Sequence, residues 1–267
     1  MAYALTEFDG LTLPAYKEAN QSDELGTGVA LTSYAQTPGG QFYDNYGSGV
    51  APMGQDPIVK ESRLIETSSA NLRIALDALR SKKGRRGVLK ATFHDATVRW
   101  IYARLVDIHH PALRGNIRTA DVRMIFVPEG GIWYHATQTT ASGTLTATGG
   151  GTQDVVVSNA GNVNVVDLVV TVTAGTNSIT ALTIANITAS YTTSYSGTIA
   201  TTKALAVDVG AMSVLYDGAN AYSSFTPSTN KAQWLILQPG NNTIRFTVTG
   251  NAAANSTYSI VYYPTYA

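Results

Sequence analysis

Apolar and polar residues alternate with a period of two along much of this chain, most clearly over residues 234–250. There Leu235 and Leu237 fall on one face, and Ile244, Phe246 and Val248 keep the same rhythm beyond a break. Pro239 presets φ for a turn, and Gly240 and Asn241 tolerate positive φ. The pattern predicts strand, turn, strand. Such a hairpin is not stable alone and needs a sheet beside it and a layer over it. The preceding residues predict both. Short alternating runs occur at 153–158, 163–173, 178–187, 198–209, 212–216, 233–237, 242–249 and 257–263. Turn residues separate them: Asn159-Ala160-Gly161, Gly175-Thr176-Asn177, Ser196-Gly197 and Asp217-Gly218. Eight or so Thr- and Val-rich strands at this spacing, with almost no helical period after residue 140, predict an all-β sandwich.

The first half is more mixed. Residues 3–13 alternate around Asp9-Gly10, a favoured two-residue hairpin turn. Residues 68–83 hold the one helical pattern, with Leu72, Leu76 and Leu79 on one face and Ala75 between them. Thr67, Ser68 or Ser69 can cap its start. Arg80, Lys82 and Lys83 suit its C-terminal end, and Gly84 suits the residue just past it. Runs at 87–94 and 97–110 flank a His94-Asp95-Ala96 turn. On the second run Val98, Trp100 and Tyr102 share one face, and Ile101, Ala103 and Leu105 the other, which predicts a strand covered on both sides. Val122, Met124 and Phe126 alternate in the next run, before Trp133. The Gly- and Tyr-rich segment 26–57 has no period; it reads either as a segment lying against a neighbouring subunit or as a polar loop.

Composition adds a boundary. Charged residues make up only 13% of the chain, about half the ordinary share. They are also segregated. After residue 136 the only basic residues are Lys203, Lys231 and Arg245, the only acidic ones are Asp154, Asp167, Asp208 and Asp217, and there is no His. We therefore expect two domains, 1–136 and 137–267. Lys+Arg and Asp+Glu balance at 18 each, so no net field favours nucleic acid or an acidic membrane. There is no Cys, hence no disulfide framework or thiol chemistry. No signal peptide is expected at the N-terminus, and no apolar run is long enough for a membrane-spanning helix. Sequons at Asn20, Asn186, Asn241 and Asn255 are the chance triplets of a Thr/Ser/Asn-rich chain.

Candidate chemistry is thin. Adjacent His109 and His110 would point to opposite faces of a strand and could not share one metal ion without a bend, and His94 and His135 are distant in sequence. His94-Asp95 could be drawn into a triad, but no Gly-x-Ser-x-Gly elbow accompanies it. The basic run 80–86 could bind phosphate, though solvated charges beside a helix end explain it more simply. Gly149-Gly150-Gly151 precedes a strand rather than a helix, so it is not a phosphate cradle. We assign no catalytic, cofactor or metal residues and expect no enzyme. Trp234 and Tyr216 leave open a carbohydrate-binding β-sandwich module, although Trp234 at a strand start more often belongs to a core or a packing contact.

The order of the motifs resembles the distal tail proteins of long-tailed bacteriophages. The residues that carry the resemblance are Asn159-Ala160-Gly161, Leu182-Thr183-Ile184-Ala185-Asn186, Gly197-Thr198-Ile199, Leu205-Ala206-Val207-Asp208 and Leu237-Gln238-Pro239-Gly240-Asn241-Asn242-Thr243-Ile244, then the ending Tyr262-Tyr263-Pro264-Thr265-Tyr266. The resemblance implies a mainly β protein. An N-terminal, β-rich, ring-forming domain with one α-helix would precede a galectin-like antiparallel β-sandwich. It also implies a structural role in the virion tail, as a homohexameric ring contacting the tail-tube protein, the tail hub and receptor-binding or fibre proteins. The galectin sugar motif, which needs a His, is absent from the second half.

Overall fold

The computed structural model describes residues 2–15, 57–110, 117–147, 149–229, 231–250 and 256–267, with short strands at 23–24, 34–36 and 42–44. The chain divides into two compact units: Met1–Ala136 together with Ala267, and Thr137–Tyr266. Both are built almost wholly from antiparallel strands, and the described residues contain one α-helix.

The first unit comprises β1 (Ala2–Phe8), β2 (Leu11–Thr12), β3 (Asp23–Glu24), β4 (Tyr34–Gln36), β5 (Phe42–Asp44), β6 (Ile58–Ile65), α1 (Ser69–Arg80), β7 (Arg86–Phe93), β8 (Val98–His109), β9 (Thr119–Pro128) and β10 (Trp133–His135). β1 and β2 form the expected hairpin, with Asp9 and Gly10 both at positive φ in the turn. The sheet runs β2-β1-β7-β8-β10, and β9 joins β8 to β6. Its inner face carries Leu5, Phe8, Leu89, Ile101, Leu105, Met124 and Phe126, all buried. Against β6 and β9 lies α1, whose Leu72, Leu76 and Leu79 are also buried. Ser68 caps the helix by accepting a hydrogen bond from Asn71 N (3.1 Å). The helix ends at Arg80 with Ser81 as C-cap, two residues earlier than Gly84 just past the C-cap would require. Gly84 instead turns the chain at φ 79°, and its N–H donates to Leu105 O (2.7 Å).

One expectation fails here. β8 is not covered on both sides by its own unit: Ile101, Ala103 and Leu105 are buried, but Val98, Tyr102 and Val106 are exposed. The Gly- and Tyr-rich segment falls outside the described residues except for β4 and β5, which pair as an antiparallel ribbon.

The second unit comprises β11 (Thr139–Leu145), β12 (Thr152–Asn159), β13 (Leu168–Thr173), β14 (Ile179–Asn186), β15 (Tyr191–Tyr195), β16 (Ala204–Asp208), β17 (Ser213–Tyr216), β18 (Ala219–Asn220), a 3-10 turn (Tyr222–Ser224), β19 (Phe225–Thr226), β20 (Gly240–Gly250), β21 (Ser256–Tyr262) and β22 (Thr265–Tyr266). One sheet runs β11-β21-β13-β16-β17-β18 and the other β12-β20-β14-β15-β19. Their inner faces share one core. Val170, Val172, Leu205, Val207 and Ile260 come from the first sheet, and Leu182, Ile184, Ile244, Phe246 and Val248 from the second. Phe246 and Tyr258 meet across the layers at 5.1 Å between ring centroids.

Residues 233–237 are not the strand their apolar density suggests. Leu235, Ile236 and Leu237 are all buried, and the segment pairs only through one bridge, Val165 with Leu237. β20 therefore begins at Gly240 (φ 85°) and pairs with β12 and β14 rather than with a hairpin arm.

Candidate assembly surfaces

The residues that looked most like chemistry are occupied by structure. Asp95 closes the β7–β8 turn: it accepts from Thr97 N (3.0 Å), Thr97 Oγ1 (2.6 Å) and Arg99 Nη2 (2.6 Å). The Thr97 hydroxyl, and then the Thr97 amide, hold its carboxyl down to about 2. A carboxylate so committed to its turn does not orient His94 for catalysis. His109 is exposed at the end of β8, while half-buried His110 sits beside Arg80, with Arg80 Nη2 at 2.6 Å from its Nε2. Together with Glu61, Ser62, Asp121, Val122 and Arg123 they line an open cleft, but Asp121 there is paired with Arg63 (2.8 Å). Among the described residues, no group of three or more His, Asp or Glu is arranged to hold a metal ion. His135 contributes its carbonyl, which accepts from Trp100 Nε1 (3.1 Å).

The basic run 80–86 is largely solvated, as expected of charges beside a helix end, and four of its five members are also paired. Arg80 meets Asp77, Lys82 meets Asp9, Lys83 meets Asp107 and Arg86 meets Glu129, all at 2.7–2.8 Å. The first pair lies within α1; the other three stitch the turn after α1 and the start of β7 to β8 and to the turns that follow β1 and β9. Lys82 and Lys83 hold the carboxyls of Asp9 and Asp107 below their ordinary value, chiefly through those hydrogen bonds. Gly149-Gly150-Gly151 leads into β12 and is fastened to β20 through Gly149 N to Gly250 O (2.9 Å) and Gly150 N to Val248 O (2.8 Å).

In the second unit the motif asparagines turn out to be internal fasteners. Asn186 and Asn242 are both 0% exposed. Asn186 Nδ2 donates to Ile236 O (2.7 Å) and to Asn242 Oδ1 (3.0 Å). Asn242 Oδ1 also accepts from Gln238 N (2.8 Å), and its Nδ2 donates to Gln238 O (2.8 Å) and Gly240 O (3.1 Å). Asn159 Nδ2 reaches Val163 O and Leu237 O, while its Oδ1 accepts from Gly161 N (2.9 Å). Three side-chain amides thus satisfy the backbone of a buried segment that has no ladder of its own, as buried polar groups require. In the fold Asn186 is unavailable to a glycan; Asn20 and Asn255 lie outside the described residues. Gly161 has a second constraint, because a Cβ there would collide with the Thr265 backbone.

Trp234 is 7% exposed, packed on Phe225 (4.8 Å) and Tyr222 (5.7 Å), and is core rather than a sugar platform. The Tyr216 hydroxyl accepts from Ala200 N (3.2 Å).

What remains open to partners is surface. On the outer face of the first unit's sheet, Trp100 stacks on Tyr134 (4.5 Å) and meets Tyr102 edge-on (5.2 Å). The Arg86 guanidinium lies 4.0 Å from the centre of the Tyr102 ring. Val98, Val106 and Val127 extend this face, and each is exposed. Sequence reasoning found the aromatics but buried them; their alternation is as strict as in a covered strand.

Residues 160–266 match the family model described as Siphovirus-type tail component, C-terminal domain. Most of the second unit thus matches a tail-component domain, which supports a structural role in a phage tail. Over its whole length the chain is similar to SPP1 Dit (gp 19.1), described as a paradigm of hub adsorption apparatus in Gram-positive infecting phages. The TM-score is 0.61 at 16% identity, covering 100% of both chains. It is also similar to a chain of the phage P2 baseplate in its activated conformation with Ca, with TM-score 0.42 and 10% identity over 98% of this chain and 90% of that one. No curated protein sequence matches the chain.

Proposed function

We propose that the protein closes into a ring at the tip of the phage tail, of six copies, and joins the tail tube to the hub and to receptor-binding or fibre proteins. The observation that carries this reading is the tail-component match over residues 160–266, on a full-length fold like that of a protein described as part of a hub adsorption apparatus. In this reading residues 1–136 are the belt-like, ring-forming domain and residues 137–267 a galectin-like β-sandwich turned toward attached parts. The outer sheet face bearing Trp100, Tyr102, Val106 and Val127 supports a subunit contact, since an exposed apolar sheet face of this kind marks an interaction site. Closure by rotation needs a heterologous interface.

Light scattering and negative-stain imaging of the full-length protein at high concentration should show closed rings. A compact monomer at every concentration, in free protein and in purified tails alike, would sink the proposal. Tyr102→Glu should abolish ring closure while leaving the monomer folded, because the added charge would be buried only in the assembly. The carbohydrate-binding alternative loses its anchor with the burial of Trp234; a glycan array with reproducible hits abolished by Tyr222→Ala would revive it.

A further inference from the structure

The second unit protects its sheet edges unevenly. One flank ends in β18 and β19, each only two residues long, and very short edge strands offer little to pair with. On the other flank the edge strands are β11 and β12. The β11 edge is capped by a side chain: Gln153 Nε2 donates to Thr144 O (2.9 Å), and Gln153 Oε1 accepts from Thr146 N (2.6 Å). That amide takes the place of a neighbouring strand. Among the described residues, β12 pairs with β20 alone and has no such cap along its middle.

The orientation of its backbone follows from the pairing. Val248 N donates to Gly151 O (3.1 Å), and the register continues Thr152 with Thr247 to Asn159 with Gly240. Hydrogen-bonded residues alternate along an antiparallel pair, so Gln153, Val155 and Val157 exchange bonds with β20. Thr152, Asp154, Val156 and Ser158 then turn N–H and C=O away from it. Two side-chain contacts agree: Asn242 of β20 reaches Val157 O (3.5 Å), whereas Ser158 O accepts from Tyr262, which lies off that strand (2.6 Å). This leaves Thr152, Asp154 and Val156 with outward N–H and C=O groups roughly 6.5–7 Å apart, the repeat of an extended chain.

The side chains do not guard this edge. The one charge on β12, Asp154, is held sideways by Arg245 in a two-point ion pair (2.7 and 2.8 Å). Val156, at its centre, is 66% exposed. An eight-residue edge with no Pro, no Lys and an exposed Val is a template for strand addition.

We propose that the β12 edge receives an extended segment of a different tail component, which adds a sixth strand to the β12-β20-β14-β15-β19 sheet and sets an apolar residue opposite Val156. Symmetric pairing of β12 with β12 of a second copy fits less well. Self-pairing centred on Asp154 uses all three outward residues but sets Asp154 against Asp154, and like charges directly opposite are destabilising. Moving the centre toward Val156 calls on Ser158, whose carbonyl is already taken by Tyr262. Moving it toward Thr152 runs the pairing into Gly150, at φ 88° in a turn.

The proposal rests on the tail reading, and its test separates the two. Hydrogen-exchange mass spectrometry would compare peptic fragments spanning Thr152–Ser158 in the free full-length protein and in purified tails. The expected result is exchange slowed roughly tenfold or more in tails. Val156→Pro removes an outward N–H that no internal bond uses, so the free protein should melt as the parent does while tails carrying it lose that slowing. If that variant does not fold, Val156→Lys repeats the measurement. Tails that contain the protein but exchange this strand as fast as the free chain would overturn the strand-addition proposal and leave the tail role standing. Protection in a concentration-dependent dimer of the free protein would overturn it in favour of a second copy. Absence of the protein from tails would overturn the tail reading, and this proposal with it.

Discussion

Side-chain amides decide more about this protein than any titratable group does. Asn242 alone joins Gln238, Gly240 and Asn186, and removing it strands several buried partners. Asn242→Ala should cost about 1–3 kcal/mol for each group left unsatisfied, read as a lower denaturation midpoint at unchanged slope. Asn241→Ala, one residue away and exposed, should change little. Ile244→Ala or Phe246→Ala should cost about 2–5 kcal/mol, since both side chains are 0% exposed in the shared core; a loss well under about 1 kcal/mol at both would mean the core lies elsewhere. At Gly161 the backbone of Thr265 leaves no space for a methyl group, and Gly161→Ala should cost about 1–3 kcal/mol or more. In the first unit Asp95 sets a pH limit. Its carboxyl is held at about 2 against an ordinary 3.8, so its contribution is complete above the ordinary value and is lost as pH falls through about 2. Melting curves should therefore show Asp95→Asn less stable than the parent near neutrality and equal to it at the acid end of that window.

At the level of elements, the sequence was legible wherever pattern and burial coincide. The Leu72, Leu76, Leu79 spacing foretold α1, and Asp9-Gly10 foretold the β1–β2 turn, because each rests on local geometry. β11 and β15 escaped notice. Their residues, such as Thr140, Ser142 and Thr144 or Thr192, Thr193 and Ser194, carry little apolar contrast, and it is pairing with β21 and β14 that makes them strands. The opposite error occurred at 233–237, where apolar density means burial without a ladder. Period cannot distinguish a strand from an irregular segment whose hydrogen bonds come from Asn159, Asn186 and Asn242. The same limit hid the β12 edge: which strand lies outermost is a property of pairing order, not of the residues in it.

For the whole molecule, the charge asymmetry seen in the sequence corresponds to two differently built units. The first carries ion pairs between strands, turns and helix, including Glu7 with Lys90 and Arg86 with Glu129. Many of the first unit's charges are spent in internal pairs, and its outer face carries Trp100, Tyr102 and Tyr134. The motif order foreshadowed the tail-component match, because those motifs are the residues with no structural freedom, Gly161 and the buried asparagines among them.

That asymmetry has a consequence in solution. Exposed ion pairs contribute about 0.2–1 kcal/mol each and fade as the screening length shrinks from about 10 Å at 0.1 M salt to about 3 Å at 1 M. The second unit has two described pairs, Lys203 with Asp217 and Arg245 with Asp154, and otherwise relies on apolar contact and uncharged amides. It should keep its melting temperature from dilute buffer to brine, while the first unit softens. A virion part built this way can meet dilute water and salty fluid with one end of the chain indifferent to the change.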